Sequence, residues 1–573
     1  MADRQTAPTG EAVPLAFRIA PGLELVRTYR REWLRHDLVA GVSVAAVALP
    51  TAIAYAQLAG FDPVVGLYAS ILPLVVYALF GTSRQLIVNP DAATCAMVAA
   101  ILAPLAVGDP GTYLSLSLGL AVLTGLICIA AGFFRLGFLA NFLSKPILIG
   151  YLNGIALSIL LGQIGKVFGF PIESGRIIPR LVEFAGKLPE THLPTLAVGS
   201  VTLAVMSAVR RLFPRLPAPL LAVLVAVALV KGLGLDDRGV AVVGEVPAGL
   251  PELRLPMLPL ETLEALLGGA ISLALVSFSS MMVTARSFAA RRRYDIDIDR
   301  EFVALGACNI AAGISQGFAV SGADSRTAMA DVMGGKSQVT GLVAAVVMAV
   351  VLLRFTEPLS VVPTAALGAV LIGAAFGLFD VAALARLARI SGSEFAVAII
   401  TMLGVVALGV MKGILVAIGL ALLLLLIRAS RPPDAVLGRV AGLKGFHNVA
   451  NHQAVTLPGL VLYRFRAALV FFNAPYFKKR VIEIVNSRPD IEWFIMDGSP
   501  VNAIDSTGAE VLEALARELA AGGVRFGIAN LRTETRAMLE RTGALAQIGD
   551  NFVFPTLKSA VNAFRGSRPA LLP

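Results

Sequence analysis

Charge is scarce in this chain. Asp, Glu, Lys and Arg supply 15% of its 573 residues, against 57% hydrophobic ones. Soluble domains carry about 25% charged residues, so a wholly water-soluble protein is excluded. Cysteine is scarce as well. Cys95, Cys128 and Cys308 all fall in apolar runs, where packing accounts for them. The four histidines, His36, His192, His447 and His452, are scattered, and none pairs with cysteine at a zinc spacing. No metal site and no cofactor is therefore expected. A Ser-His-Asp set, a metal set and a phosphate-binding loop are all missing, which argues against an enzyme. The run GISQG at 313–317 keeps only the outline of a nucleophile elbow, with no strand before it. A cleavable signal peptide is also missing from the mixed, polar start MADRQTAPTGEAVPLAFRIAPG, so the first span is expected to serve as its own insertion signal.

What is present is a series of apolar runs of about 20 residues between roughly 38 and 428, the length a helix needs to cross the hydrocarbon core. The chain reads as a polytopic α-helical membrane protein. Fourteen spans are expected, at 38–59, 64–80, 90–106, 113–133, 141–168, 193–212, 217–234, 262–285, 301–316, 323–334, 338–354, 362–378, 392–410 and 412–428. The net charge of +10 lies in short loops between them, so it reads as a topology signal and not as a nucleic-acid surface. Arg84, Arg135, Lys145, Arg210, Arg211, Arg215, the cluster ARRRYDIDIDR, Arg386, Arg389, Arg428 and Arg431 all fall on one side. With Arg27, Arg30, Arg31 and Arg35 ahead of span 1, both termini are expected to be cytoplasmic, in a cell inner (plasma) membrane. Loops near 170–192 and 236–261 mix acids and bases and fall on the other side.

Two spans are anomalous. Span 10 has about 12 residues and would reach only some 18 Å. Span 3 begins at Pro90 and meets Pro104. Both read as half-helices that start inside the membrane, and they hold corresponding places in two sets of seven. An odd number of spans per set makes the repeats inverted, and short segments at matching places mark a transporter's binding site. Helix N-termini carry partial positive charge and unpaired N–H groups, so two that face each other form an anion site. Arg326 would add a full charge, and Ser325, Thr327 and Thr94 would add hydroxyls. The alternative is that Arg326 only pairs with Asp324 or Asp91 to hold the half-helices together. Each aspartate is either a helix cap or a carrier that takes up a proton as the anion enters.

Beyond Arg431-Pro432-Pro433 the pattern changes to alternating strands and helices. VTLPGLVLYRFRAALVFF reads as a pair of strands, EWFIMDG and VRFGIAN as buried strands, TGAEVLEALARELAAGG and TRAMLERTG as helices. The expected organisation is a cytoplasmic N-terminal segment 1–36, a transmembrane domain 37–430, a linker 431–454, a cytoplasmic α/β domain 455–566 and a tail 567–573.

Three stretches carry a resemblance: DPVVGLYASILPLVVYALFGTSRQ at 62–85, SGADSRTAMADVMGGKSQ at 321–338 and NAIDSTGAEVLEAL at 502–515. With span 1 they make the chain resemble the SulP anion transporters, the sulfate permease and solute carrier family 26 type, with a C-terminal STAS domain. The resemblance implies fourteen spans in two inverted repeats of seven. Spans 1–4 and 8–11 would form a core, and spans 5–7 and 12–14 a gate. It implies a homodimer in the lipid bilayer and alternating access of elevator type. It carries the anion site to Ser325 and Arg326 at span 10 and to Asp91, Ala92 and Ala93 at span 3, with Thr51 and Tyr55 of span 1 lining the cavity. Asn89 departs from the family pattern, and Ser279 or Ser280 stands where proton-coupled members have a carboxylate in span 8. Asp91 and Asp324 are thus the proton-coupling candidates. Asp505-Ser506 match the phosphorylated turn of some STAS domains, whereas Ser506 read simply would cap the following helix.

The expected function is secondary active transport of a small inorganic or organic anion, of the sulfate, bicarbonate or dicarboxylate class, with protons as the coupling partner. An uncoupled exchanger or channel is the alternative, and a membrane sensor signalling through the STAS domain is another.

Overall fold

A computed structural model describes residues 20–22, 28–106, 109–137, 145–174, 177–256, 258–451 and 454–567. Most of the 1–36 segment, Arg27, His452 and all of the tail but Ser567 lie outside the described residues. The chain forms two compact units, Met1–Ala421 and Leu422–Pro573.

A helix stands at each of the fourteen expected intervals. They are α1 (Leu34–Leu58), α2 (Pro63–Phe80), α3 (Ala92–Ala106), α4 (Pro110–Phe133), α5 (Lys145–Phe168), α6 (Leu193–Leu212), α7 (Ala218–Leu233), α8 (Leu260–Arg292), α9 (Ile298–Ile314), α10 (Asp324–Val332), α11 (Val339–Arg354), α12 (Thr364–Leu378), α13 (Gly392–Leu408) and α14 (Val410–Ser430). Among the described residues, seven helices are long and apolar enough to cross a bilayer unaided. The half-helices are real and short: α3 has 15 residues and α10 only 9.

The helices sort into two groups by packing. In one, α9 lies against α4 and α2, α11 against α1 and α2, and α8 against α4. In the other, α5 lies against α12 and α13, and α6 against α7 and α12. Lipid tails are as apolar as leucine, so helices in a membrane associate through close backbone approach at small residues. The α4–α9 crossing shows this. A Cβ on Gly306 would stand 2.5 Å from the Gly125 carbonyl oxygen, and one on Gly125 would stand 2.6 Å from the Gly306 oxygen.

Two buried acids tie the first group together, and each reaches from one repeat to the other. Glu301, in the first turn of α9, accepts from Thr82 N (2.7 Å), Thr82 Oγ1 (2.6 Å), Ser83 N (3.0 Å) and the Tyr77 hydroxyl (2.8 Å). Asp37, in the first turn of α1, accepts from Lys336 N (2.6 Å), Ser337 N (3.2 Å), Ser337 Oγ (2.7 Å) and Thr340 Oγ1 (3.1 Å). A buried charge is tolerable only when its lone pairs are filled in this way. Glu301 fixes the loop that leads to α3, and Asp37 fixes the loop that leaves α10.

The second unit carries a six-stranded sheet. Besides β1 and β2, which belong to the membrane unit (Val88–Asn89 and Ser321–Gly322), the strands are β3 (Asp434–Gly438), β4 (His447–Asn448), β5 (Leu460–Phe465), β6 (Trp493–Asp497), β7 (Arg525–Ala529) and β8 (Val553–Phe554). The order is β4-β3-β5-β6-β7-β8, with β5 to β8 parallel and β3 antiparallel to both neighbours. Successive side chains of a strand face opposite sides. Val461, Tyr463 and Phe465 thus pack with Phe477 and Leu512, while Leu460 and Leu462 pack with Val561 and Phe564. Two expectations are corrected here. The stretch 431–454 is not a plain linker, because it supplies β3 and β4. The run 455–472 yields one strand and not a pair, since outside β5 it forms only isolated bridges, Val455 to Arg439 and Leu469 to Ile504.

Candidate functional site

The site is built on a buried two-residue ladder of the membrane unit. Val88 pairs with Gly322 and Asn89 with Ser321, antiparallel. Side-chain amides secure it: Asn309 of α9 accepts from Val320 N at 3.0 Å, and Asn89 accepts from Ser70 Oγ at 3.3 Å. α3 and α10 both begin directly after this ladder. Proline before a helix and glycine before its partner suit these positions, because Pro90 lacks an N–H to satisfy and a Cβ on Gly322 would meet Met281 Cγ of α8 at 2.7 Å.

Arg326 is 1% exposed. Its Nη1 donates to Thr51 Oγ1 at 3.1 Å, its Nη2 donates to the Pro90 carbonyl oxygen, and its guanidinium lies 5.5 Å from the centre of the Tyr55 ring. It forms no ion pair with Asp91 or Asp324, so the strut alternative is replaced by a link from α10 to α1 and to the start of α3. Its Nε is buried without a hydrogen-bond partner. Asp91 does cap α3, accepting from Thr94 N at 3.2 Å. Asp324 does not cap α10, since Ala323 holds that place, and its Oδ1 instead accepts from Thr284 of α8.

A cavity of about 470 Å³ opens against these groups. Thr51, Tyr55, Asp91, Ala92, Asp324, Ser325 and Arg326 line it. Thr327, Ala93 and Thr94 do not. Thr327 is buried, with its hydroxyl accepting from Ile87 N at 3.0 Å, and Thr94 pairs with Ser277 of α8 at 3.2 Å. Successive residues of a helix point about 100° apart, so a run of polar residues cannot all face one cavity. Sequence reasoning missed the opposite wall, formed by Arg210, Pro214, Leu216, Pro219, Val370, Gly373, Gly377 and Leu378 from the second helix group. The cavity therefore lies on the seam between the two groups. It extends to the 213–217 loop, on the side of the basic loops. At the other end of the seam, Lys166 Nζ of α5 donates to Gln57 Oε1 of α1 at 3.2 Å.

In the second unit Asp505, and not Ser506, caps the helix Ser506–Ala521. Its Oδ1 accepts from Gly508 N at 2.7 Å and its Oδ2 from Phe471 N at 2.8 Å. Ser506 is left exposed in the first turn. At the end of β6, Asp497 is buried. Burial raises its carboxyl pKa, but hydrogen bonds from Asn530, Arg464 and Ser499 outweigh this and hold it below the usual carboxylate value.

Comparison with known proteins agrees with this architecture. The sulfate permease family matches residues 34–401 and the STAS domain matches residues 451–560. The "probable sulfate transporter MT1781" of Mycobacterium tuberculosis (strain CDC 1551 / Oshkosh) is 43% identical over 548 residues, 95% of this chain and 98% of that protein. The murine Solute Carrier 26 family member A9 anion transporter, in the inward-facing state, superposes with a TM-score of 0.88 at 24% identity, over 98% of this chain and 97% of that one. The transmembrane domain of a cyanobacterium bicarbonate transporter, BicA, gives 0.60 at 23% identity, over 68% and 98%. These two likenesses are of fold.

Proposed function

The chain belongs to the sulfate permease family and is an anion transporter and not an enzyme, and we propose that it is a secondary active transporter with sulfate as first-choice cargo. One observation carries this reading: a buried guanidinium with an unpartnered Nε between two half-helix N-termini, at the head of an open cavity. Such a group awaits an acceptor, and an oxyanion is the acceptor that also suits the helix ends. Sulfate is favoured because the similar M. tuberculosis protein is described as a sulfate transporter.

Transport proceeds by elevator-type alternating access. The position of the cavity on the seam supports this, since sliding one helix group along the other would carry the site across. The reach of the cavity to Pro214 and Leu216, beside the basic residues that follow α6, supports a site open to the cytoplasm. The protein works as a homodimer in the inner (plasma) membrane with both termini cytoplasmic. Proton coupling runs through Asp91 or Asp324, both of which line the cavity beside Arg326. Uncoupled exchange has support of its own, because Asp91 is also engaged as a cap and Asp324 with Thr284.

The test is uptake into proteoliposomes. Radiolabelled sulfate, bicarbonate and dicarboxylates are presented with and without an imposed pH gradient. The reading expects sulfate to accumulate when the outside is acidic. Exchange without dependence on the gradient would favour the second reading, and no anion uptake at all would reject both.

A further inference from the structure

The cavity has two walls, and a cation stands on each. Its charged lining residues are Asp91 at the cap of α3, Asp324 and Arg326 of α10, and Arg210 from the last turn of α6. Arg210 stands in a run of basic residues, Arg210, Arg211 and Arg215, whose plain reading is a topology signal. The structure separates them. Arg211 and Arg215 do not line the cavity, whereas Arg210 does. Among the described residues, no carboxylate lies within ion-pair distance of Arg210.

The seat of Arg210 is also shaped. Its Nη1 donates to the Gly373 carbonyl oxygen of α12 at 3.1 Å. A Cβ on Gly373 would stand 1.8 Å from Met206 Cε, the residue one turn before Arg210. The hydrogen bond to the α12 backbone thus holds the guanidinium at the cavity wall.

We infer that Arg210 is a second anion-recognising residue of this site, on the wall opposite Arg326, and that its charge favours doubly over singly charged anions. The inference rests on the anion-transport reading above and refines it. Its physical basis is Coulomb's law: the interaction with Arg210 scales with the charge of the cargo. If neutralising Arg210 weakens a monoanion by about fivefold, it weakens a dianion by the square of that factor, about 25-fold.

The test compares the full chain with R210Q, R210K and R211Q in proteoliposomes. The readouts are KM and kcat for sulfate uptake, and inhibition of that uptake by chloride as the monoanion probe. R210Q is expected to raise the sulfate KM about 25-fold and the chloride inhibition constant about fivefold. R210K should restore the sulfate KM to within about threefold, because a charge returns without the planar fork. R211Q should change neither value. A sulfate KM in R210Q no higher than in R211Q would overturn the inference, as would equal effects on sulfate and chloride, or a failure of lysine to rescue. If the unsubstituted chain takes up no anion, the anion-transport reading falls first and this one with it. Should R210Q give too little folded protein, R210M supplies the second variant: it removes the charge but keeps an unbranched side chain, and an unchanged ratio of sulfate to chloride affinity there would also count against the inference.

Discussion

Glu301 offers the sharpest test of how the two repeats are held together. Its carboxylate is buried and takes four hydrogen bonds from Tyr77, Thr82 and Ser83, residues of the other repeat. Replacing it with alanine leaves the N–H groups of Thr82 and Ser83 and the Tyr77 hydroxyl without their acceptor. Each such orphan costs about 1–3 kcal/mol, so E301A should lose about 4–6 kcal/mol, a large part of a typical folding margin of about 5–15 kcal/mol. E301Q is milder. Its amide oxygen can still accept from both N–H groups, and the Tyr77 hydroxyl can turn to accept from its amide nitrogen, so the loss should be about 1–2 kcal/mol. Thermal unfolding of purified protein in detergent reads this directly: E301A should melt roughly 10 °C lower and E301Q only a few degrees lower. The same loop leads into β1, so sulfate affinity should fall with the melting temperature. An E301A protein melting within about 2 °C of the unsubstituted chain would refute the idea that this carboxylate staples the repeats.

Three further outcomes follow from the geometry. G306A drives a methyl group into the Gly125 carbonyl oxygen, 2.5 Å from its ideal position, and should cost about 1–3 kcal/mol by overpacking, seen as a lower melting temperature and reduced yield. D497A removes the acceptor for Asn530, Arg464 and Ser499 and should destabilise the second unit by about 2–4 kcal/mol. Because the folded Asp497 pKa lies below its unfolded value, the stability this group contributes is present above the unfolded pKa of about 4 and fades as pH falls through the folded one; the gap between D497A and the unsubstituted chain should close in acid denaturation curves. D91N keeps the cap of α3, since asparagine caps nearly as well, but should abolish the rise of uptake with falling external pH; full retention of that rise would remove Asp91 as the proton carrier.

Much of this was legible in the sequence because the membrane makes charge conspicuous. Asp324 and Arg326 stood out against apolar surroundings, and short length marked α3 and α10 as half-helices. The parallel core of the second unit was legible for a similar reason: EWFIMDG and VRFGIAN are apolar runs bounded by turn residues. What escaped was direction and partnership. Thr327 looked like a donor to the anion, yet its position on the turn of α10 points it at Ile87. Glu301 and Asp37 lie at helix starts among other charges, where an acid is ordinary, and only the fold brings a distant loop's N–H groups to them. Arg210 hid within a basic cluster whose other members have a sufficient explanation. β3 and β4 were missed because a short strand beside Gly438, Gly442 and Gly445 carries little periodic signal. The cap at 505 went to aspartate, which competes well with serine for that place, leaving Ser506 in the open.

In the proposed mechanism an anion binds between the N-termini of α3 and α10, against the Arg326 guanidinium. Equilibrium binding of radiolabelled sulfate to purified protein and to R326A, with the melting temperature of each recorded, tests it most directly. Losing a charge-assisted contact of about 2–3 kcal/mol should weaken Kd by about 30- to 150-fold in R326A protein that is still folded. A folded R326A protein that binds sulfate with unchanged Kd would show that Arg326 does not hold the anion.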